Sequence, residues 1–202
     1  FQEAINYITS MGGWGIRMGD KSMSSIKIKD EKFFDYANSD FKSDLLDVFF
    51  CATAKFMIGT SSGLSALSYI FGVPLALTNL LPTATVYLSK RDMFIPRILK
   101  SKKNDKLLKF SEIFSPPINI AMIDGSYRNL LELDFVENTS DEIFNLVKEM
   151  FENISSDKKN LINDELQERF HKNLEKIEPL IGFPGMRFQC NVSSYFLKKY
   201  IN

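Results

Sequence analysis

Five consecutive residues, Gly59-Thr60-Ser61-Ser62-Gly63, hold the densest concentration of chemistry in this chain. Phe56, Met57 and Ile58 precede them, an apolar run too short for a helix and best read as a buried strand. Leu64, Leu67 and Phe71 follow at i, i+3 and i+7, one face of a helix. The turn therefore falls where a strand delivers the chain into a helix N-terminus. Such an end carries unpaired N–H groups and partial positive charge, and it suits a phosphate. Glycines at 59 and 63 would let a ligand come close to the backbone. The plainer reading is that Ser61 or Ser62 only caps the helix. Open α/β sheets bind ligands at the carboxyl ends of parallel strands, and that placement favours a site.

The flanking sequence supplies the elements that must hold this turn. Gly72 and Pro74 stop the helix, and residues 73–77 read as the next strand, completing a compact βαβ unit. Upstream, Phe1, Ala4, Ile5, Ile8 and Met11 form a helical stripe that ends at Gly12-Gly13. Residues 14–18 read as a strand closed by Gly19-Asp20. Arg17 then falls at its carboxyl end, close to where the 60–63 turn should emerge. A second short strand is expected at 32–36. Leu45, Leu46, Phe49, Phe50 and Ala52 mark a buried helix, with Asp44 and Asp47 near its start, where negative charge suits the dipole.

Residues 79–117, with Pro82, Pro96, Pro116 and Pro117, read as one long loop. It carries Lys100, Lys102, Lys103, Lys106 and Lys109 against Asp105. Such a run is either a solvated surface or a contact for a phosphate-bearing acceptor or an anionic membrane face. Residues 133–136 read as the last strand. Thr139 and Glu142 form a capping box for a helix through Ile143, Val147, Met150 and Phe151. The expected architecture is α/β: a Rossmann-like, mostly parallel sheet with helices on both faces over residues 1–155, then a helical C-terminal tail over 156–202.

Composition narrows the function classes. The chain has 202 residues, enough for one well-buried domain and an appendage. Lys+Arg and Asp+Glu both number 25, so no global field points to nucleic acid. Cys51 and Cys190 lie far apart, which fits a reducing compartment better than a disulfide framework. No apolar run reaches the ~18 residues of a membrane span, and no signal peptide is legible. The opening at Phe1, already in a helical stripe, suggests a fragment of something longer.

The same residues admit other chemistries. Gly59-x-Ser61-x-Gly63 also fits a nucleophile elbow, with Asp124 and His171 following in hydrolase order. His171, however, lies in charged helical sequence, whereas a catalytic His should come on a loop after a late strand. One His, two distant Cys and no Asp-x-Asp pair argue against a metal centre. A metal-independent enzyme must neutralise a diphosphate leaving group with Arg, Lys and helix-end N–H groups. Arg17 and the 60–63 turn are the pieces required, although Arg17 paired to a surface carboxylate is the simpler alternative.

Five segments together resemble a family of bacterial glycosyltransferases whose genes accompany surface-polysaccharide synthesis. They are WGIRMGD (14–20), DYANSDFKSDLLD (35–47), FMIGTSSGLSALSYIFGVPLALTN (56–79), DMFIP (92–96) and ENTSDEI (137–143). The resemblance implies the C-terminal, donor-binding half of a GT-B fold, distantly like heptosyltransferases and fucosyltransferases. It implies a nucleotide sugar as donor substrate, no metal or other cofactor, and a glycan or lipid-linked acceptor. Arg17, with Gly19 and Asp20 beside it, would approach the phosphates, and Thr60, Ser61, Ser62, Gly63 and Leu64 would cradle them. Asp35, Tyr36 and Asp44 would lie near the nucleoside, and Asn79 near the interdomain cleft. The acceptor-binding half, with the catalytic base, would precede Phe1. The setting would be cytoplasmic, with peripheral contact at the inner face of the membrane.

Three competing functions would behave differently. A sugar-nucleotide epimerase of the same fold would convert a nucleotide sugar with no acceptor. A serine hydrolase would label at Ser61 with a fluorophosphonate. A non-catalytic nucleotide-binding module would bind donor and transfer nothing.

Overall fold

The computed structural model describes residues 1–81, 89–118, 126–155, 165–174 and 190–201. Its centre is a four-stranded, wholly parallel sheet of β3 (Met57–Gly59), β4 (Leu75–Leu80), β5 (Met93–Pro96) and β8 (Asn191–Val192), adjacent in that order. A parallel pair, β1 (Gly15–Ile16) with β2 (Phe33–Phe34), and an antiparallel pair, β6 (Ile98–Ser101) with β7 (Leu133–Val136), complete the strands among the described residues. The helices are α1 (Gln2–Ser10), α2 (Asp44–Thr53), α3 (Gly63–Ile70), α4 (Phe110–Ile113), α5 (Ser140–Ser155), α6 (Glu165–Leu174) and α7 (Ser194–Tyr200). This is the expected α/β architecture, Rossmann-like, with a parallel sheet between helices.

Strand alternation shows how the two faces are covered. Met93 meets α5, where Asn153 Nδ2 lies 3.2 Å from its Sδ. Phe94, one residue on and so on the other face, stacks edge-on against Phe170 of α6 at 6.0 Å. Phe110 and Phe114 of α4 join that ring at 5.1 and 5.6 Å from Phe170. Leu75, Ala76 and Leu77 of β4 are buried on both faces, as a central parallel strand requires.

Residues 79–117 are not one loop. They contain β5, β6 and α4. Their strands have only four residues each, and Pro96 ends β5, so the prolines and short runs concealed them. Nor is β7 the final strand. Beyond it, within the expected tail, β8 pairs with β5, and α7 places Phe196 and Leu197 in the common core. The open edge of β8 is closed by the buried Gln167, whose amide donates to Val192 O while its Oε1 accepts Val192 N–H at 3.1 Å. A side chain thus stands in for a further strand.

α5 and α7 are joined by carboxylates. Glu149 accepts Ser193 Oγ, Ser194 N and Tyr195 N at 2.8–3.0 Å, meeting the orphan donors at the start of α7. Glu142, only 2% exposed, accepts Lys199 Nζ and Tyr200 OH, both at 2.7 Å. It also closes the expected capping box: Thr139 N–H donates to its carboxylate at 3.0 Å, and its own N–H donates to Thr139 Oγ1 at 3.3 Å.

Two helix faces depart from their apolar patterns. The apolar pattern of α2 predicts a buried helix, yet Leu45 is 78% and Phe49 52% exposed, and Cys51 is its one buried residue. In α3 the sheet-facing residues are Ser65 and Ser68, while Phe71 is half exposed. Small residues let α3 lie close on β3, with Ser68 Oγ 3.2 Å from Met57 Sδ. The predicted helix stop holds, with Gly72 in the left-handed region at φ 72.

Candidate functional site

The 60–63 turn leaves the carboxyl end of β3 and opens α3. Ser62 is the N-cap: its Oγ accepts Ser65 N–H at 3.3 Å, and Ser65 Oγ accepts Ser62 N–H at 2.8 Å. Capping by Ser62 is therefore real, but it uses only part of the turn. Among the described residues, the hydroxyls of Thr60 and Ser61 have no hydrogen-bond partner, and no carbonyl accepts the N–H groups of Thr60, Ser61, Gly63 or Leu64. Thr60, Ser61, Ser62 and Gly63 are all exposed, and Leu64 is half-buried. From below, buried Thr78 of β4 donates its Oγ1 to Gly59 O at 3.3 Å and fixes the mouth of the strand. A Cβ placed on Gly63 would meet nothing within 4 Å, so the space above its amide is open. The mouth thus holds several unused donors at a helix N-terminus, the kind of group an anion takes.

Arg17 extends β1, its N–H donating to Phe34 O at 2.9 Å. Its Nη1 lies 3.0 and 3.1 Å from the two carboxylate oxygens of Asp35, so the simpler alternative, an ion pair, is what the structure contains. Asp35 also accepts Ile26 N–H at 3.0 Å and Asn38 Nδ2 at 3.3 Å. Burial pushes its carboxyl upward, yet the Ile26 N–H, Arg17 and Asn38 outweigh that and hold it below the usual range. Asp35 is accordingly a hub that pins the 19–32 loop. Among the described residues, Arg17 Nε and Nη2 donate to nothing, and no bond or ion pair links Arg17 to the 60–63 turn.

The remaining expected residues divide by task. Tyr36 is fully buried, and its hydroxyl both donates to Ser43 O at 2.9 Å and accepts Ser43 N–H at 3.0 Å. That anchors the N-cap of α2, and the hydroxyl's one donor is spent on Ser43 O. Asp44 is the first residue of α2 and exposed, available to a ligand as well as to the dipole. Gly19 has φ 143, a backbone conformation that favours glycine, and sits against the Met23 side chain. Asp20 accepts Ser22 N–H at 2.8 Å in a turn of its own.

Asn79 adopts φ 52 where β4 shifts register, and its contacts run to Asn138: each backbone N–H donates to the other's side-chain oxygen, at 2.6 and 2.7 Å. Asn138 Nδ2 also donates to Pro96 O at 2.9 Å. Sequence reasoning missed Asn138, whose only signal was its place just before the capping box. It also missed Arg97, whose N–H donates to Leu80 O at 2.8 Å on the same rim.

Other expected chemistries find different settings. His171 Nε2 is 3.1 Å from Cys190 O, at the amino end of β8, whereas Ser61 stands at the carboxyl end of β3. In a parallel sheet those are opposite rims, so His171 cannot serve Ser61; Asp124 lies outside the described residues. Asp92, in the DMFIP segment, is buried at that amino rim and accepts Leu75 N–H at 2.7 Å. Lys100, Lys102, Lys103 and Lys106 each lie within 4.0 Å of a carboxylate, respectively Asp105, Asp134, Glu132 and Glu112. Most of that stretch is therefore a solvated set of ion pairs. Among the described residues no group of three or more His, Cys, Asp or Glu could hold a metal, and no helix is long and apolar enough to cross a membrane.

Comparison with protein-family models, curated proteins and solved structures finds no match.

Proposed function

We propose that this chain is the donor-binding half of a metal-independent, nucleotide-sugar-dependent glycosyltransferase acting in surface-polysaccharide or glycan synthesis. The single observation that carries the reading is the open mouth of β3. There, among the described residues, the hydroxyls of Thr60 and Ser61 and the N–H groups of Thr60, Ser61, Gly63 and Leu64 have no partner, at the carboxyl end of a parallel strand. Anionic oxygen is what such donors lack, and a nucleotide diphosphate supplies it. Negative charge grows on that diphosphate as the sugar departs, so donors already aimed at it stabilise the transition state more than the ground state. Arg17 would add its unused Nε and Nη2 to the same charge while Asp35 holds its Nη1. The acceptor, a glycan or a lipid-linked one, would be bound by an acceptor-binding half that also supplies the catalytic base, in a cytoplasmic setting beside the membrane.

Separate thermal-unfolding series with UDP-, GDP-, CMP- and ADP-sugars test this. A bound donor at 100 times its Kd should add about 2.7 kcal/mol to native stability. Stabilisation by one base class and not the others supports the reading. Indifference to all four, with wild type and Gly63→Ala behaving alike, defeats it.

A further inference from the structure

We propose that this chain pairs with a second copy of itself through the outer face of α2, the two helices lying antiparallel across a two-fold axis. The inference does not rest on the donor-site reading; it starts from the composition of one helix. α2, DLLDVFFCAT, has only Asp44, Asp47 and Thr53 as polar residues. A helix apolar nearly all round belongs in an interior. One side of α2 has such a setting: Cys51 is buried, and Phe50 meets the buried Tyr36 ring edge-on at 5.0 Å. The other side does not. Leu45, Val48 and Phe49 are exposed, and with half-buried Ala52 they recur at i, i+3, i+4 and i+7, one continuous stripe. Phe41, just ahead of the helix, is 71% exposed. The adjoining α3, packed against α2, exposes Ile70 and Phe71. Single exposed apolar residues are ordinary, but a contiguous set of large ones marks an interface.

The charges at the two ends of α2 specify a second copy as the occupant. Asp44 opens the helix and is exposed, and so is Lys55, which follows the C-cap Ala54. Neither is in an ion pair among the described residues, whereas Lys42 and Asp47 hold each other. From 44 to 55 is about three turns, roughly 16 Å, so helical spacing sets both on one flank of the stripe at opposite ends. A two-fold axis at right angles to the helix brings two stripes face to face and antiparallel. Each flank then meets the same flank of the other copy, and Asp44 of each meets Lys55 of the other. Apolar side chains fill the middle, and opposite charges close both ends. That is the self-complementary surface an isologous dimer requires. A parallel pairing would set Asp44 against Asp44 and Lys55 against Lys55, which like charges disfavour.

Sedimentation velocity tests this on the 202-residue chain as wild type, Leu45→Glu, Asp44→Lys and Lys55→Asp. Wild type should dimerise in the range of about 10–100 µM. Leu45 is so exposed that Leu45→Glu should keep the fold, and because the residue enters the contact twice, pairing should weaken about tenfold or more. Asp44→Lys and Lys55→Asp should each pair more weakly than wild type, since like charges then meet at both ends. An equimolar mixture of those two should associate more tightly than either alone, because opposite charges meet again at both ends. Recovery on mixing also reports that both variants are folded. Wild type that stays monomeric at about 200 µM overturns the proposal. A dimer that Leu45→Glu leaves intact overturns it too, by placing the contact on another face. Charge variants that pair as wild type does, or a mixture no tighter than its components, overturn the antiparallel two-fold arrangement.

Discussion

Asn79 and Asn138, 59 residues apart, hold each other by two reciprocal hydrogen bonds of 2.6 and 2.7 Å between backbone N–H and side-chain oxygen. Asn79 takes a left-handed backbone there, φ 52, a conformation that asparagine tolerates better than most residues. The clasp joins the end of β4 to the loop entering α5, and the third bond from Asn138 brings in Pro96. Asn138→Ala should cost about 2–6 kcal/mol, since two sheltered groups lose partners at about 1–3 kcal/mol each. Urea denaturation measures it. A double-mutant cycle with Asn79→Ala should show a coupling of about 0.5–3 kcal/mol, whereas strict additivity would mean the two do not act together.

Gly63 separates binding from folding. Its Cβ would meet nothing, and its backbone is not left-handed, so Gly63→Ala should leave stability unchanged or raise it by up to about 1 kcal/mol. The added methyl would nonetheless stand beside the open amides of the turn. Phosphate or donor binding should fall at least tenfold with an unaltered melting curve. A variant that binds as wild type does would remove the turn from the site.

Arg17 and Asp35 predict a shift that can be read by titration. Arg17→Met removes one of the influences that hold the Asp35 carboxyl low, leaving burial less opposed, so its pKa should rise. Carbon-detected NMR of the carboxyl group would show the direction. Under the proposed glycosyltransferase function the same change should cost about 2–4 kcal/mol of transition-state stabilisation, as loss of one positioned donor does. Near-normal turnover would mean that Arg17 only braces the 19–32 loop.

Glu142 makes stability depend on acid. Burial alone would raise its pKa, but Lys199, Tyr200 and the Thr139 N–H together bring it below its ordinary 4.5. A depressed carboxyl contributes stability above its unfolded value and loses it as pH falls through the folded one. Wild type should therefore lose stability below about pH 4.5 through this group, and Glu142→Gln should start less stable and show a flatter acid limb. Lys199 is shifted upward by Glu142, so the alkaline counterpart is full below its ordinary 10.5 and disappears as pH rises through the folded value. Identical acid limbs in the two proteins would show that the cluster carries no linkage.

Both cysteines should resist alkylation in the native state. Cys51 and Cys190 are buried, and burial, with the Asp92 charge adding to it, pushes the Cys190 thiol up to about 12. Iodoacetamide at neutral pH should label neither until urea unfolds the chain, as mass spectrometry would register. Rapid native labelling at residue 190 would mean that β8 opens from the sheet edge.

Local features were legible where neighbouring residues alone decide them. The strand–turn–helix of 56–71, the stop at Gly72 and the Thr139–Glu142 box all depend on backbone geometry and hydrogen bonds within a few residues. The sequence by itself therefore determined the α/β class and the place of the hydroxyl-rich turn. It could not determine which helix faces meet a partner. The apolar stripe of α2 is present but largely exposed, and α3 packs through serines, because burial depends on what lies opposite and not on the periodicity of one segment. Only tertiary structure put Arg97 on the rim, joined Asn79 to Asn138 and moved His171 to the far end of the sheet. Each of these rests on strands paired across tens of residues, and no local pattern encodes that register.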